Sequence, residues 1–253
     1  MELSAPQPGK HYLLYMHVPF CESLCPYCSF NRFPFARDRA VPYFRQMRDE
    51  LRMLADKGFS FEEAYIGGGT PTIMMDELAE TISLARELFP QIRDVSIETN
   101  PNHLSPEYLA PIEGLVQRVS VGVQSFDDGM LDQMGRLKKY GNAAQILERI
   151  QGIRDAGLFH SLNVDMIFNL PTQTSQMLAH DIDCAKASGA NQVTFYPLMV
   201  SPVSRASIER RWGTWSSAPR KPSIIRCSMP FVPETTLSSC RAAAIRSAAK
   251  RGR

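Results

Sequence analysis

The sequence predicts an α/β fold in which helices cover a parallel β-sheet. Over roughly the first 200 residues, short runs rich in β-branched and aromatic residues alternate with longer segments of helical periodicity. Six strand–helix units can be counted, and helices of this length between strands are typical of parallel βαβ crossovers. The composition, 44% hydrophobic and 21% charged, is that of a globular protein. Six units could form either an open doubly wound sheet or a partial barrel.

The predicted strands are short and mostly apolar. The first leads directly into a cysteine-rich loop, and the fourth alternates apolar and polar residues along its length. The six predicted strands are Tyr12–Val18, Ala64–Ile66, Val95–Thr99, Arg118–Val123, Leu162–Phe168 and Gln192–Leu198.

The predicted helices have recognisable ends. Gly58 is a stop signal for the first helix, Asp76 is the expected N-cap of the second, and Pro90 ends the second. Ser105 begins the third helix, with a proline in its first turn. Besides the helix that begins at Ser105, the predicted helices are Val41–Ala55, Asp76–Phe89, Asn142–Ala156 and Ser175–Ser188.

The pattern breaks after Pro202, and the end of the chain is basic. Residues 204–253 carry 11 Lys or Arg against 2 Asp or Glu, although the whole chain has a net charge of only +2. Because this segment has no recognisable nucleic-acid-binding motif, we expect an irregular basic tail and no nucleic-acid partner. A second hypothesis is that residues 216–253 do not continue the original reading frame.

Two further features bear on location and redox state. No apolar run approaches the ~20 residues that a membrane span requires, and Met1–Lys10 lacks the apolar core of a signal peptide. We therefore expect a cytoplasmic protein without a membrane span. Six cysteines in such a chain argue against a disulfide framework, and Cys227 and Cys240 have no partners at metal-ligand spacing.

The strongest chemical signal is Cys21-x-x-x-Cys25-x-x-Cys28, immediately after the first strand. Three thiolates on one tight loop can bind three corners of a cubane iron–sulfur cluster. The next cysteine is Cys184, so one iron would stay open to a substrate or cofactor. A zinc site with His17 as an additional ligand, or three unrelated buried thiols, are the alternatives.

A glycine loop follows the second strand, in the order Gly67-Gly68-Gly69-Thr70-Pro71. On its own, such a loop is compatible with any tight turn, or with a phosphate-binding loop that lacks its Lys and Ser or Thr.

Polar residues accompany three successive strands. Glu98 ends the third strand, Gln124 follows the fourth, and Asp165 lies within the fifth. Each alone could be a core polar residue bonded to the backbone, but three on successive strands are better explained as the lining of a polar pocket. Arg136 follows twelve residues after Gln124 and is either a carboxylate-binding fork or a solvated charge.

The segment from Tyr15 to Cys28, which reads YMHVPF followed by the cysteine motif with Tyr27 inside it, resembles the radical S-adenosylmethionine (SAM) superfamily. It is most similar to the branch that contains the oxygen-independent coproporphyrinogen oxidase and the related haem chaperone (HemN/HemW type). The resemblance extends through most of Leu13–Pro202. It implies a partial (βα)6 barrel with the cluster at the C-terminal mouth of its strands, where barrel enzymes place their chemistry. It also implies a core domain over residues 1–203 and, in residues 204–253, a missing or altered C-terminal domain.

The resemblance assigns cofactors to these residues. It implies a [4Fe–4S] cluster held by Cys21, Cys25 and Cys28, and SAM bound at its open iron. The implied SAM-binding residues are Tyr15, Tyr27, Gly68, Gly69, Thr70, Glu98, Gln124, Arg136 and Asp165. Among them Arg136 would meet the SAM carboxylate, Tyr27 would cover the adenine, and the glycines would let the backbone approach the methionine.

The implied activity is reductive cleavage of SAM to methionine and a 5′-deoxyadenosyl radical, with an electron donor such as flavodoxin or ferredoxin. The small-molecule substrate would be a tetrapyrrole or a flat aromatic or quinone-like compound. The oxidases have a further cysteine where this chain has Phe30, which argues against that specific activity. The Cys28–Phe35 stretch is compatible with a C-methyltransferase. The alternatives are a haem chaperone with little turnover, and a chain that is inactive because its C-terminal domain is missing.

Overall fold

A computed structural model describes residues 4–213 of the 253-residue chain. Its centre is a sheet of six parallel strands that lie side by side in the order of the chain, and this confirms the six predicted strands. The strands are β1 (Leu13–Val18), β2 (Glu63–Gly68), β3 (Asp94–Thr99), β4 (Arg118–Gln124), β5 (Ser161–Phe168) and β6 (Gln192–Pro197).

The strand order decides between the two predicted architectures. A doubly wound sheet reverses its strand order at a switch point, and this sheet has no reversal. Because parallel crossovers are almost always right-handed, an unreversed order places the helices on one face. The fold is therefore the partial (βα)6 barrel.

The two faces of the sheet differ in chemistry. The face toward the helices is apolar and fully buried, as at Ile97 of β3, Val121 of β4 and Val164 of β5. The inner face is polar: Glu98 of β3 lies in register with Ser120 of β4, and Ser120 lies in register with Asn163 of β5. This alternation, with a period of two, puts the polar side chains of neighbouring strands into one concave lumen.

Eight helices are present among the described residues. They are α1 (Arg37–Asp56), α2 (Met75–Leu88), α3 (Pro106–Leu109), α4 (Asp128–Gln133), α5 (Leu137–Tyr140), α6 (Ala143–Ala156), α7 (Ser175–Ala187) and α8 (Pro202–Trp212). Ser105 caps α3 as predicted, with its side chain accepting from the Tyr108 N–H. Helix α6 ends at Gly157 in the left-handed conformation, which glycine adopts without strain.

Helix α2 begins differently from the prediction. Asp76 is not its N-cap, because a 3₁₀ turn over Pro71–Met74 leads directly into the helix at Met75. Asp76 instead lies in the first turn, where its charge is favourable near the positive end of the helix dipole. Helices α4 and α5 were not predicted, since helices of six and four residues are too short to show an apolar period.

The chain after Pro202 also differs from the prediction of an irregular tail from Ser204. Residues Pro202–Trp212 form α8, because the Ser201 side chain accepts a hydrogen bond from the Ser204 N–H and proline occupies the first helical position. One side of this helix packs against the protein, since Ile208 is fully buried. The remainder of the predicted tail, with Cys227, Cys240 and the proposed change of reading frame, lies outside the described residues. Among residues 4–213, no helix is both long and apolar enough to cross a membrane.

Candidate functional site

The cysteine loop is closed by backbone pairing at its base. Strand β1 runs into the segment Phe20–Cys21, which pairs in parallel with Phe33–Pro34. The Phe33 N–H donates to the Pro19 carbonyl at 2.7 Å, and the Phe35 N–H donates to the Cys21 carbonyl at 2.8 Å. The loop that carries the three cysteines is therefore fixed at both ends to the top of the barrel.

The three thiols are free and mostly buried. Cys21 and Cys25 are 7% and 9% exposed, and Cys28 is half-buried. Burial raises the pKa of Cys21 to about 11, although a hydrogen bond with Thr70 opposes the shift, and burial also raises the pKa of Cys28. Thiols in such surroundings ionise at neutral pH only when a strong positive charge, such as a metal, replaces the proton.

The positions of the three cysteines help to distinguish a single zinc ion from an iron–sulfur cluster. Within residues 4–213, no three Cys, His, Asp or Glu side chains converge closely enough to share one metal ion. The zinc alternative therefore has no single-ion site in this part of the chain. A cubane cluster distributes its cysteine ligands over different irons, so it does not require this convergence.

The glycine loop packs against the cysteine loop. The Gly69 N–H donates to the Val18 carbonyl at 2.7 Å, and the Thr70 N–H donates to the Phe20 carbonyl at 2.8 Å. A Cβ on Gly69 would lie 2.6 Å from the Phe20 oxygen and 2.9 Å from the Cys21 sulfur. The absence of a side chain at Gly69 is thus already required by the contact between the two loops.

Glu98 supports the glycine loop from the third strand. Its Oε1 accepts from the Tyr65 hydroxyl at 2.6 Å, and its Oε2 accepts from the Gly68 N–H at 3.0 Å. Burial and the nearby carboxylate raise the pKa of Tyr65, so its hydroxyl remains a donor. Gly68 itself has φ +122°, a conformation that favours glycine.

Asp165 lies on the lumen face of β5 in a hydrogen-bonded group with Ser120 and Asn163. It accepts from the Ser120 hydroxyl at 2.6 Å and from the Asn163 amide at 2.8 Å, and Thr194 in turn donates to Asn163 at 2.9 Å. Burial raises the pKa of Asp165 to about 6; the Ser120 bond opposes the shift, and the charge of Glu98 adds to it. The Asp165 carboxyl can therefore hold or release a proton close to neutral pH.

Gln124 occupies an unusual backbone position at the end of β4. Its φ is +79°, and the register between β4 and β5 shifts between Gly122 and Gln124. The shift folds the Gln124 side chain back over Gly122, where a Cβ would lie 2.8 Å from the amide nitrogen. A non-glycine residue in this conformation is strained, and such strain is concentrated at functional sites.

Arg136 is almost completely buried beside the cysteine loop. It is 3% exposed, so it is not a solvated charge. Its Nη1 lies 3.5 Å from the Cys25 sulfur and 3.4 Å from the Tyr27 hydroxyl oxygen. Its Nε has no hydrogen-bond partner, and no carboxylate within residues 4–213 forms an ion pair with it. A buried cation without a carboxylate partner is costly, so this position suits an anionic ligand.

Asn100 connects the glycine loop to this arginine and was not predicted. Its amide nitrogen donates to the Thr70 hydroxyl at 2.9 Å, and its amide oxygen accepts from Arg136 Nη2 at 3.2 Å. Its place directly after the third strand, two residues beyond Glu98, was the available signal.

Glu22 is a second residue that sequence reasoning missed. It follows Cys21 and accepts from Lys139 of α5 at 2.9 Å and from the Asn102 amide at 3.0 Å. These contacts tie the cysteine loop to the far side of the barrel mouth. Because the partners lie 80 and 117 residues away in the sequence, no local pattern reveals them.

The two predicted tyrosines occupy different surroundings. Tyr15 is 53% exposed on the lumen face, donates to His17 Nδ1 at 2.9 Å and stacks on Tyr65. Tyr27 is 7% exposed and packs in a cluster of apolar residues beneath α8 that includes Ile208. The structure thus brings the cysteine loop, glycine loop, Glu98 and Arg136 into one connected group. Asp165 is hydrogen-bonded to Ser120 and Asn163 instead, and Tyr27 is partly a core residue.

Comparison with known proteins agrees with this architecture. The family model of the radical SAM superfamily matches residues 15–185. The heme chaperone HemW of Bacillus subtilis is 33% identical over 195 residues, which cover 74% of this chain and 50% of that protein. The oxygen-independent coproporphyrinogen III oxidase of Bradyrhizobium diazoefficiens is 32% identical over 180 residues, covering 68% of this chain and 39% of that protein.

A solved structure shows the same fold. The coproporphyrinogen III oxidase HemN from Escherichia coli, described as a radical SAM enzyme, superposes with a TM-score of 0.70 at 25% identity. The match covers 80% of this chain and 48% of that one. The chain thus spans about half the length of the curated relatives it matches.

Proposed function

The chain belongs to the radical SAM superfamily, and from that membership we propose that Cys21, Cys25 and Cys28 bind a [4Fe–4S] cluster whose open iron takes SAM. The observation that carries this proposal is the buried guanidinium of Arg136, which lies 3.5 Å from the Cys25 sulfur and has no carboxylate partner among residues 4–213. A cation in this position fits a site that gains negative charge from three thiolates and a SAM carboxylate.

Three features of the site are compatible with these cofactors: the cysteine thiols, the Arg136 side chain and the glycine loop. The donor set is three free thiols on one fixed loop, the chemistry that iron–sulfur clusters require. The Arg136 Nε is buried without a partner and can donate to a carboxylate. The glycine loop packs directly against Cys21, so a ligand held by the cysteine loop would lie beside its backbone.

We assign the SAM contacts as follows. Arg136 would hold the carboxylate of SAM, and the Gly68–Thr70 backbone would meet its methionine portion. The remaining contacts would come from Tyr15, Tyr27, Glu98, Gln124 and Asp165. When bound, the cluster and SAM would supply one-electron cleavage of a C–S bond to give a 5′-deoxyadenosyl radical.

The chain's own residues orient the polar side chains of the site and exclude water from the cysteine loop. The Tyr65 hydroxyl and the Gly68 N–H fix both oxygens of Glu98 at the strand end, so this carboxylate is oriented before a ligand arrives. Asn163 and Ser120 orient Asp165 in the same way. Burial of the cysteine loop would exclude water from a cluster bound there, and this would protect a reactive species generated at the site.

Two activities remain in accord with the relatives. A radical enzyme acting on a tetrapyrrole or flat aromatic substrate is supported by the similarity to coproporphyrinogen oxidases. A haem chaperone that binds haem, cluster and SAM with little turnover is supported equally by the 33% identity to HemW and by Phe30 in place of a further cysteine. The C-methyltransferase hypothesis has no support beyond the Cys28–Phe35 stretch. Either activity would draw electrons from a flavodoxin-like or ferredoxin-like donor.

One anaerobic experiment tests the cofactor assignment and separates the two activities. The protein is reconstituted with iron and sulfide, reduced with dithionite and examined by EPR, with Cys21→Ser, Cys25→Ser and Cys28→Ser as variants and Cys184→Ser as the matched control. We expect about four irons per chain in the parent and in Cys184→Ser, and loss of the EPR signal in the other three. An absent signal in the parent protein would overturn the proposal.

SAM and haem are then added separately to the reconstituted protein. Rapid formation of 5′-deoxyadenosine in the presence of a tetrapyrrole supports the enzyme. Stable haem binding with little 5′-deoxyadenosine supports the chaperone.

A further inference from the structure

A second arginine lies next to the cysteine loop, and its surroundings resemble those of Arg136. Arg32 is half-buried, and its Nη2 donates to the Cys25 carbonyl at 2.5 Å. Its Nε is buried without a hydrogen-bond partner. Within residues 4–213, three buried side-chain nitrogen or oxygen atoms lack a partner, and two of them are the Nε atoms of Arg32 and Arg136.

The backbone holds Arg32 in place. The carbonyl of Asn31 accepts from His17 Nε2 at 3.0 Å, and the N–H of Phe33 donates to Pro19 at 2.7 Å. Both sequence neighbours of Arg32 are therefore bonded to the end of β1. A long, flexible side chain that starts from a fixed backbone and ends on the Cys25 carbonyl has lost most of its freedom, so its charge has a defined position.

No acidic side chain neutralises this charge. Among the described residues, Arg32 forms no ion pair, and Glu22, the acidic residue of the cysteine loop, is taken up by Lys139 and Asn102. The charge of Arg32 acts on the thiols instead: it lowers the pKa of Cys21 and of Cys28, although burial raises both by more.

We infer that Arg32 is a positioning residue that sets the reduction potential of the cluster by stabilising its reduced form. The inference rests on the proposed function and concerns the same site. Adding one electron to a [4Fe–4S]²⁺ cluster gives [4Fe–4S]⁺ and increases the negative charge that the three thiolates already create. A fixed, partly desolvated cation stabilises the more negative state more strongly, so the cluster accepts an electron at a higher potential.

The contacts of the two arginines give them different proposed roles, ligand binding for Arg136 and an effect on the cluster for Arg32. Arg136 contacts the Cys25 sulfur and has its Nε–H without a partner and available to a ligand, while Arg32 is bonded to the backbone of the loop itself. Arg32 is therefore expected to act on the cluster whether or not SAM is bound.

The test is an EPR-monitored redox titration of the reconstituted full chain without SAM, using dithionite as the electron source. The variants are Arg32→Gln, Arg32→Met and Arg32→Lys, with Arg37→Gln as a control that removes an exposed charge five residues away. We expect Arg32→Gln and Arg32→Met to hold the cluster with a reduced-to-oxidised ratio on the order of tenfold lower at a given potential. For one electron this is a midpoint ~59 mV more negative. Arg32→Lys and Arg37→Gln should stay close to the parent.

The outcomes separate this inference from the proposed function. A parent protein that forms no cluster refutes the proposed function. A parent with a normal cluster and an Arg32→Gln midpoint equal to that of Arg37→Gln refutes the role of Arg32. If both neutral variants lose iron while Arg32→Lys retains it, the charge is required to assemble the cluster, and the proposed role in the reduction potential is overturned. Loss of iron in all three Arg32 variants would show a steric role and overturn it.

Discussion

The Arg136 guanidinium lies 3.5 Å from the Cys25 sulfur although 111 residues separate the two in the chain. The residues between them form β2, β3 and β4, so the whole first half of the barrel is needed to bring this cation to the cysteine loop. Arg136 also lies over the ring of Tyr140, at 4.2 Å from its centre. The arginine is therefore held from several directions and presents only part of its fork to the site.

Replacing this arginine by lysine tests whether the fork binds an anion. In Arg136→Lys the charge stays, but the planar pair of donors is lost, so we expect the Kd of SAM to rise about 10- to 100-fold. Isothermal titration of the reconstituted protein under anaerobic conditions measures this. Arg118→Lys is the matched control, because Arg118 lies on the lumen face of β4 and bonds to Gln192. An unchanged Kd in Arg136→Lys would contradict the assignment.

The glycine loop offers a second pair of matched variants. In Gly69→Ala the new methyl group would lie 2.6 Å from the Phe20 carbonyl oxygen, so either the glycine loop or the cysteine loop must shift. We expect a loss of about 1–3 kcal/mol in the free energy of unfolding and a lower iron content after reconstitution. Urea unfolding of the metal-free protein and iron analysis are the measurements.

The control is Gly152→Ala in the middle of α6. A Cβ at Gly152 meets nothing within 4 Å, so this change should raise stability by roughly 0.5–1 kcal/mol. If the two alanine variants behaved alike, the close packing of the two loops would not matter for the site.

How far the sequence predicted this molecule depends on the range of each signal. The six strands and the long helices were predicted because their apolar periods are local, and the cysteine and glycine loops because each is contiguous. The contacts of Asn100 and Glu22 were not predicted, since their partners come from other strands and loops. The strained φ of Gln124 likewise depends on a register shift against β5, which no single segment specifies.

Helix α8 is a further element that was not predicted from the sequence. Its start was missed because the basic composition from Ser204 onward outweighed the cap at Ser201 and the single buried position at Ile208. A capping serine followed by proline at the first helical position was the available signal.

The packing of α8 predicts how much the helix contributes to the free energy of unfolding. Ile208 is fully buried and packs in the cluster that contains Cys25 and Tyr27. Ile208→Ala should lower the free energy of unfolding by about 2–5 kcal/mol, whereas Val203→Ala on the same helix, at 80% exposure, should change it by less than about 0.5 kcal/mol. Urea unfolding of both variants measures the difference. Equal effects would mean that α8 is not part of the core.

The final prediction concerns Asp165 on the lumen face of β5. Burial raises the pKa of Asp165 from its ordinary 3.8 to about 6 in the folded protein. Between these values the folded state binds more protons at this site than the unfolded state, so the free energy of unfolding falls as the pH rises from about 4 to 6 and then levels off. Asp165→Asn removes the ionisation, and its amide can still bond with Ser120 and accept from Asn163.

The variant should therefore match the parent near pH 4 and exceed it progressively up to pH 7. A shift of about two pKa units corresponds to at most ~3 kcal/mol. Urea unfolding of the metal-free protein from pH 4 to 8 measures this, with the exposed Asp94→Asn as the control for general charge effects. A stability difference that did not depend on pH would show that Asp165 ionises normally. Because Asp165 is one of the proposed SAM contacts, the stability that this substitution recovers would be the energetic cost of keeping a charged group ready for that ligand.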